Sequence, residues 1–243
     1  MYGARLRICL LPAALILACA TGPAFALRIQ PDYGAFQGGD LRVLQEAVKE
    51  WSDRLPCCDG KVVPITFSCN DNLDKLGWAD VVFDPNGDVV SAAVTLRNKD
   101  LYFTLTEPAD WEVKYWDLCD ALTVAKHEIG HAIGFLHEGK FMNKVEKVDG
   151  NRFYDMNTDG VYNGNDFDLS DAADDEWEGH AASNVYLMYA GFKPQERKHE
   201  SPEEARVLAD AYGYCIPEPG TWLGLLCGCV GIIRLRRRPR TGS

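Results

Sequence analysis

Basic residues are scarce in this 243-residue chain, where 25 Lys and Arg stand against 36 Asp and Glu for a formal net charge of −11. Binding a phosphate backbone needs a basic face, so this balance excludes nucleic acid as the main partner. Long apolar runs are missing too. Neither the stretch from Ile8 to Cys19 nor that from Trp222 to Ile233 reaches the roughly 17–25 residues of a spanning helix. Between residues 27 and 216 there is no internal repeat and no long low-complexity linker, which leaves one catalytic-size domain. What is present, 47% hydrophobic and 11% aromatic residues, excludes a disordered or collagen-like chain.

The charge is unevenly spread. Arg5 and Arg7 lie at the front, Arg234, Arg236, Arg237, Arg238 and Arg240 at the back, and only Glu218 opposes them in those ends. The body therefore holds 18 basic and 35 acidic residues, a net of −17, after those seven arginines and one glutamate are set aside. Residues 1–26 have the layout of a secretory signal: a basic start, an apolar run broken by Pro12, and Ala24-Phe25-Ala26 before a cut at Leu27. Residues 217–243 run Pro217-Glu218-Pro219-Gly220, an apolar stretch, then the arginine cluster. This order resembles the bacterial PEP-CTERM sorting signal with its short transmembrane segment. The resemblance implies processing by signal peptidase and an exosortase, membrane contact through the C-terminal segment before processing, and a place at the cell envelope or outside it. Export permits disulfides, and five cysteines remain in the body: Cys57, Cys58, Cys69, Cys119 and Cys215. Their pairing is not readable from sequence.

The strongest signal is His127-Glu128-Ile129-Gly130-His131-Ala132-Ile133-Gly134-Phe135-Leu136-His137, which holds three of the chain's five histidines. Residues four apart share a helix face, so His127 and His131 can offer two imidazoles to one metal. Glu128 lies about 100° round the helix, within reach of a metal-bound water. Gly134 permits the turn that stops the helix and brings His137 back as a third ligand. Three histidines and an open fourth position make a catalytic rather than a structural zinc pattern.

This pattern, HExxHxxGxxH, is the metzincin signature. Tyr186-Leu187-Met188-Tyr189-Ala190-Gly191 resembles the methionine turn of those peptidases. Within the clan the chain is most similar to matrixins. Ala79 to Phe83 resembles the strand before the substrate-binding edge strand, Asp88 to Leu96 that edge strand, and Ser201-Pro202-Glu203-Glu204 the start of the last helix. Phe135 and Glu138 beside His137 look more like astacins, but the astacin tyrosine position is Ala190 here. No cysteine-switch propeptide is visible. The resemblance implies an α+β metzincin-type catalytic domain: a twisted mixed sheet, an active-site helix and a C-terminal helix. It also implies zinc, a protein or peptide substrate, Glu128 as general base, Met188 as structural support and Tyr189 in the substrate pocket.

The frame is legible independently. Asp40 is placed to cap a helix whose apolar positions Leu41, Leu44, Val48, Trp51 and Leu55 keep helical spacing. Val63, Ile65 and Phe67 alternate as a strand, with Pro64 marking an edge or a strand start. Asp84 to Gly87 reads as a turn, Leu101, Phe103 and Leu105 as another strand, and Asp117 or Asp120 as the cap of the histidine helix. Ser201, Pro202 and Glu204 form a capping box. An unpaired edge near Val89–Leu96 would accept an extended peptide as an added strand.

A segment at about 141–182 separates the histidine motif from Met188. Ten of the body's acidic residues fall between Asp149 and Glu178. Within it Asp155, Asn157, Asp159 and Asp166 stand at positions 1, 3, 5 and 12 of a loop with Gly160 at position 6, and the Val161 carbonyl would fill position 7. The set resembles an EF-hand calcium loop of the dockerin variety, and it implies Ca²⁺ bound through Asp155, Asn157, Asp159, Val161 and Asp166. The expectation is therefore an exported zinc endopeptidase over residues 27–216. The alternative is a non-catalytic, calcium-stabilised envelope or matrix protein on the same frame.

Overall fold

The computed structural model describes residues 27–55, 61–136, 138–149, 151–164, 166–170 and 180–214. The expected signal and sorting segments, His137, Cys57, Cys58 and Cys215 lie outside them. The fold is α+β with a mixed sheet. Among the described residues no helix is long and apolar enough to cross a membrane, and Cys69 and Cys119 form no disulfide.

β1 (Arg28–Asp32), α1 (Gly38–Arg54), β2 (Val62–Cys69), β3 (Gly77–Phe83) and β4 (Val89–Leu96) build the upper half. The strand order is β1-β2-β4-β3, with β3 antiparallel to β4 and the other pairs parallel. This corrects the expectation for the edge: β4 is internal, and among the described residues the outer strands are β1 and β3. β4 has alternating buried residues on a small, β-branched sequence that suits a strand flanked on both sides. Val63, Ile65 and Phe67 point into the core as their alternation requires. Pro64 lies where β2 pairs with β1 alone, since β4 joins only at Ile65, so its missing N–H marks a strand start.

α1 buries Val43, Leu44, Ala47, Val48 and Trp51. It begins earlier than expected, with Gln37 as its N-cap and Asp40 in the first turn. There the Asp40 carboxylate complements the helix dipole rather than capping. β5 (Leu101–Tyr102) is only two residues long and pairs with β6 (Cys119–Asp120). The expected continuation to Phe103 and Leu105 does not form. The Thr104 and Leu105 carbonyls instead accept from the Arg197 guanidinium, at 3.0 and 3.1 Å.

α2 (Ala121–Ala132) is capped by Asp120, whose carboxylate accepts from the Thr123 N–H at 3.0 Å and its hydroxyl at 2.7 Å. Every residue of α2 is buried. Trp51 of α1 donates its indole N–H to the Lys126 carbonyl at 2.7 Å, which fixes one helix on the other. Gly134 ends the helix at φ +119, and a Cβ there would run into the Tyr212 ring. No other residue fits on either ground.

The following segment carries β7 (Val145–Val148), β8 (Asn151–Tyr154) and β9 (Phe167–Leu169) as an antiparallel sheet. Phe141 packs between Phe135 and Tyr154, at 4.9 and 5.1 Å, and Phe167 meets Phe135 at 5.8 Å. This aromatic seam joins the insertion to the end of α2. α3 (Pro202–Tyr212), the last helix among the described residues, has the full Ser201–Glu204 capping box and Gly213 at φ 72. Glu204 is buried, and its carboxylate also accepts from the Met188 N–H at 2.7 Å.

Ser201→Ala should cost about 1 kcal/mol as a lost cap. Glu204→Ala should cost about 2–3 kcal/mol, because it leaves the buried Met188 N–H unpaired as well. Urea unfolding midpoints check both. Equal losses in the two variants would show that the Glu204–Met188 link contributes nothing.

Candidate metal centre

The helical repeat places His127 and His131 on one face of α2, and the backbone around them sets their tautomers. His127 Nδ1 lies 2.8 Å from the Leu187 carbonyl, and His131 Nδ1 lies 2.6 Å from the Phe135 carbonyl. A carbonyl only accepts, so each Nδ1 carries the hydrogen and each Nε2 presents a lone pair. The two Nε2 atoms are 3.0 Å apart. Burial holds the His127 pKa well below its ordinary value, with His131 and His180 adding to the effect. With their Nδ1 atoms engaged by carbonyls, the two Nε2 atoms form a donor pair that fits a metal ion of the kind that takes imidazole nitrogen.

A third imidazole closes this group. One ring nitrogen from each of His127, His131 and His180 lies within 4.8 Å of the other two. The His180 ring stacks on His127 at 5.2 Å and stands edge-on to His131 at 5.1 Å. Burial, helped by Lys75, pushes the His180 pKa down to about 4, so it too is neutral near pH 7. His180 had no periodic or motif signal in the sequence. It follows an acidic stretch with no strand pattern, and only its pairing with the insertion carries it to the helix. His137 lies outside the described residues.

The histidines open into a cleft of about 620 Å³ between α2, β3 and the loop after Met188. Glu128 lines it at 5% exposure. β3 passes so close that a Cβ on Gly77 would sit 2.7 Å from the Glu128 Oε1. Glycine is thus what lets the strand approach the carboxylate. Met188 is wholly buried under the helix, where a Cβ on Gly130 would strike its sulfur. Tyr189 does not line the cleft. It is half-buried beneath the Lys198 ammonium, 5.0 Å from the ring centroid, and Ala190 and Phe192 take the cleft positions instead.

In the acidic loop the backbone uses the side chains of Asp155 and Asp166. Asp155 accepts from the N–H groups of Asn157, Thr158, Asp159 and Gly160, and Asp166 from those of Met156 and Asn163. Burial pushes the Asp155 carboxyl up, but these donors outweigh it and hold its pKa below the ordinary value. Asn157 and Asn163 donate side-chain amides to Asp159 at 2.9 and 3.3 Å, and Asn163 also donates to the Val161 carbonyl at 2.9 Å. All the expected oxygens therefore surround one loop, with amide hydrogens among them. The carboxylates of Asp155, Asp159 and Asp166 are not gathered within 4.8 Å as the histidines are.

A second group, Glu50, His199 and Glu200, lies behind α2. The Lys126 ammonium already occupies it, 2.7 Å from Glu50 and 3.1 Å from His199 Nδ1, so it is an ion network rather than a metal cradle. No family model matches the chain, and no curated protein matches it either.

Zinc added to about 100 times its Kd should stabilise the fold by about 2.7 kcal/mol. His131→Ala should abolish this response. Thermal melting with and without chelator checks it, and a wild-type chain indifferent to zinc would sink the metal centre.

Proposed function

We propose that the chain is an exported, zinc-dependent endopeptidase of the metzincin type. The observation that carries the reading is the pair of Nε2 lone pairs facing each other 3.0 Å apart, with a carboxylate on the next residue round the helix lining the same cleft. Zinc held there would activate water and polarise a carbonyl. Glu128 would take a proton from the attacking water and deliver it to the leaving amine, the role of a carboxylate held beside the metal site. β3 lines the cleft and is an outer strand of its sheet among the described residues. An extended peptide added along β3 would lie across the metal site, held by main-chain hydrogen bonds. A general base kept in the cleft favours catalysis over a purely structural envelope role.

The sorting segments complete this reading: signal peptidase at the front, an exosortase-type enzyme at the back, and an address at the bacterial envelope or outside. The loop from Asp155 to Asp166 is the proposed Ca²⁺ site, where the cation would displace the amide hydrogens now shared among its oxygens.

Casein or a peptide library, given to the full chain with zinc, should be cut at internal bonds. Glu128→Gln should lose on the order of 10²–10⁴ of the rate while keeping the zinc-dependent rise in melting temperature. A zinc-loaded chain that cuts nothing, or a variant as active as the parent, would overturn the assignment. For the loop, calcium should raise the melting temperature of the parent but not of Asp155→Ala or Asp159→Ala. An equal response in all three removes calcium from that site.

A further inference from the structure

Resting on the endopeptidase reading above, we infer that the cleft selects cationic peptides, with Trp78 and Asp80 of β3 holding a Lys or Arg side chain of the substrate. Carboxylates from Asp74, Asp80, Glu128 and Glu138 line the cleft, and Lys75 is the one ammonium among its described lining residues. A cleft lined mostly by one sign of charge, between low-dielectric walls, concentrates its field and draws the opposite charge in.

Trp78 and Asp80 give that general attraction a fixed position. Exposure alternates along β3: Gly77 and Ala79 are buried, Trp78 and Asp80 exposed. The pleat therefore puts Trp78 and Asp80 on one face of the strand. The Trp78 indole N–H donates to the Asp80 carboxylate at 2.8 Å, which holds the carboxylate without neutralising it. Among the described residues no cation pairs with Asp80. The indole ring already carries a cation, since the Lys75 ammonium lies 4.8 Å from its centroid. An aromatic that seats an ammonium of its own chain offers the same attraction to an incoming one. Arginine suits the pair best, because its planar guanidinium stacks on rings and pairs with carboxylates in two-pronged fashion.

Register ties this pair to the reaction centre. β3 passes Glu128 at Gly77, where a Cβ would sit 2.7 Å from Oε1. Asp80 is farther along the strand by about 10 Å, at roughly 3.3 Å per residue. A peptide added to β3 alternates with the same period, so every second side chain shares the face of Trp78 and Asp80. The residue selected is thus about three positions from the bond to be cut.

The test uses the zinc-loaded full chain and fluorescein-labelled nonapeptides that alternate Thr with Arg, Lys, norleucine or Glu. Cleavage is read as kcat/KM, and binding as anisotropy on the slowed Glu128→Gln chain. The Arg and Lys peptides should be cut and bound about 10-fold better than the norleucine peptide, with Glu last, and the preference should shrink as salt rises. Asp80→Lys should reverse the order of Lys and Glu. Asp53→Lys makes the same change of net charge at an exposed site on α1 and should keep the order. Each ranking is a ratio within one protein, so the folded fraction cancels. Equal cleavage and binding of the four peptides, or a reversal in Asp53→Lys as well, overturns the inference and leaves the peptidase reading standing. Charge-ranked binding without any cleavage by the parent overturns the peptidase reading and keeps the cationic subsite. Neither cleavage nor ranked binding overturns both.

Discussion

Two imidazole nitrogens held 3.0 Å apart on one helix face are the constraint on which the rest of this structure depends. Each ring is locked from behind by a carbonyl, Leu187 for His127 and Phe135 for His131. Neither can rotate away without stranding a buried N–H, which costs about 1–3 kcal/mol. The Phe135 carbonyl is in place only because the chain reverses at Gly134, and the Leu187 carbonyl only because the Met188 turn is docked under Gly130. That turn is tied in turn to α3 through Glu204. Helix stop, methionine turn and C-terminal helix are one assembly, and its product is a pair of lone pairs aimed at a common point.

The far side of α2 supplies a second constraint. Lys126 precedes His127, and its side chain is fully buried against Glu50 at 2.7 Å and Glu200 at 3.8 Å. Burial raises the Glu200 carboxyl above its ordinary pKa, while Lys126 holds Glu50 below its own against the same pressure. A buried pair of this kind is weak evidence of net stability, because desolvation offsets most of the attraction. Its effect is on orientation. An uncompensated ammonium in the core is far costlier than a paired one, so α2 has one acceptable rotation about its axis. Successive residues differ by about 100°, so that rotation is what turns His127 toward the cleft. Asp120 and Arg197 fix the helix start in the same way, at 2.8 Å.

The features legible in the sequence were those whose cause is local. The four-residue spacing of His127 and His131, the Ser201–Glu204 box and the alternation of Val63, Ile65 and Phe67 each follow from the geometry of one element. The sequence narrowed the helix cap to Asp117 or Asp120, and the structure takes Asp120. The features that escaped have distant causes. Strand order is one: β3 and β4 are both short apolar strands, and nothing in either says which lies at the margin. Arg197, far along the chain, takes the carbonyls that would have extended β5. Tyr189 turns toward Lys198, a residue no spacing rule connects with it. His180 is the largest case, since its place depends on a bridge between Leu169 and Ala181.

That bridge explains why an acidic, polar insertion belongs in a protein of this kind. Bringing residue 180 back to residue 131 closes a long loop, and the entropic cost of closure rises with the logarithm of loop length. A structureless loop would leave the returning histidine diffuse. The β7-β8-β9 sheet shortens the effective loop, because it ties part of the connection into paired strands seated on Phe135 through Phe141 and Phe167. The hairpin between β8 and β9 is closed by the Asp155–Asp166 loop, whose carboxylates gather the backbone donors of that turn. Whatever tightens that turn tightens β9, and β9 holds His180. The Asp155–Asp166 loop and the histidine cluster are therefore mechanically in series, through β9 and the Leu169–Ala181 bridge.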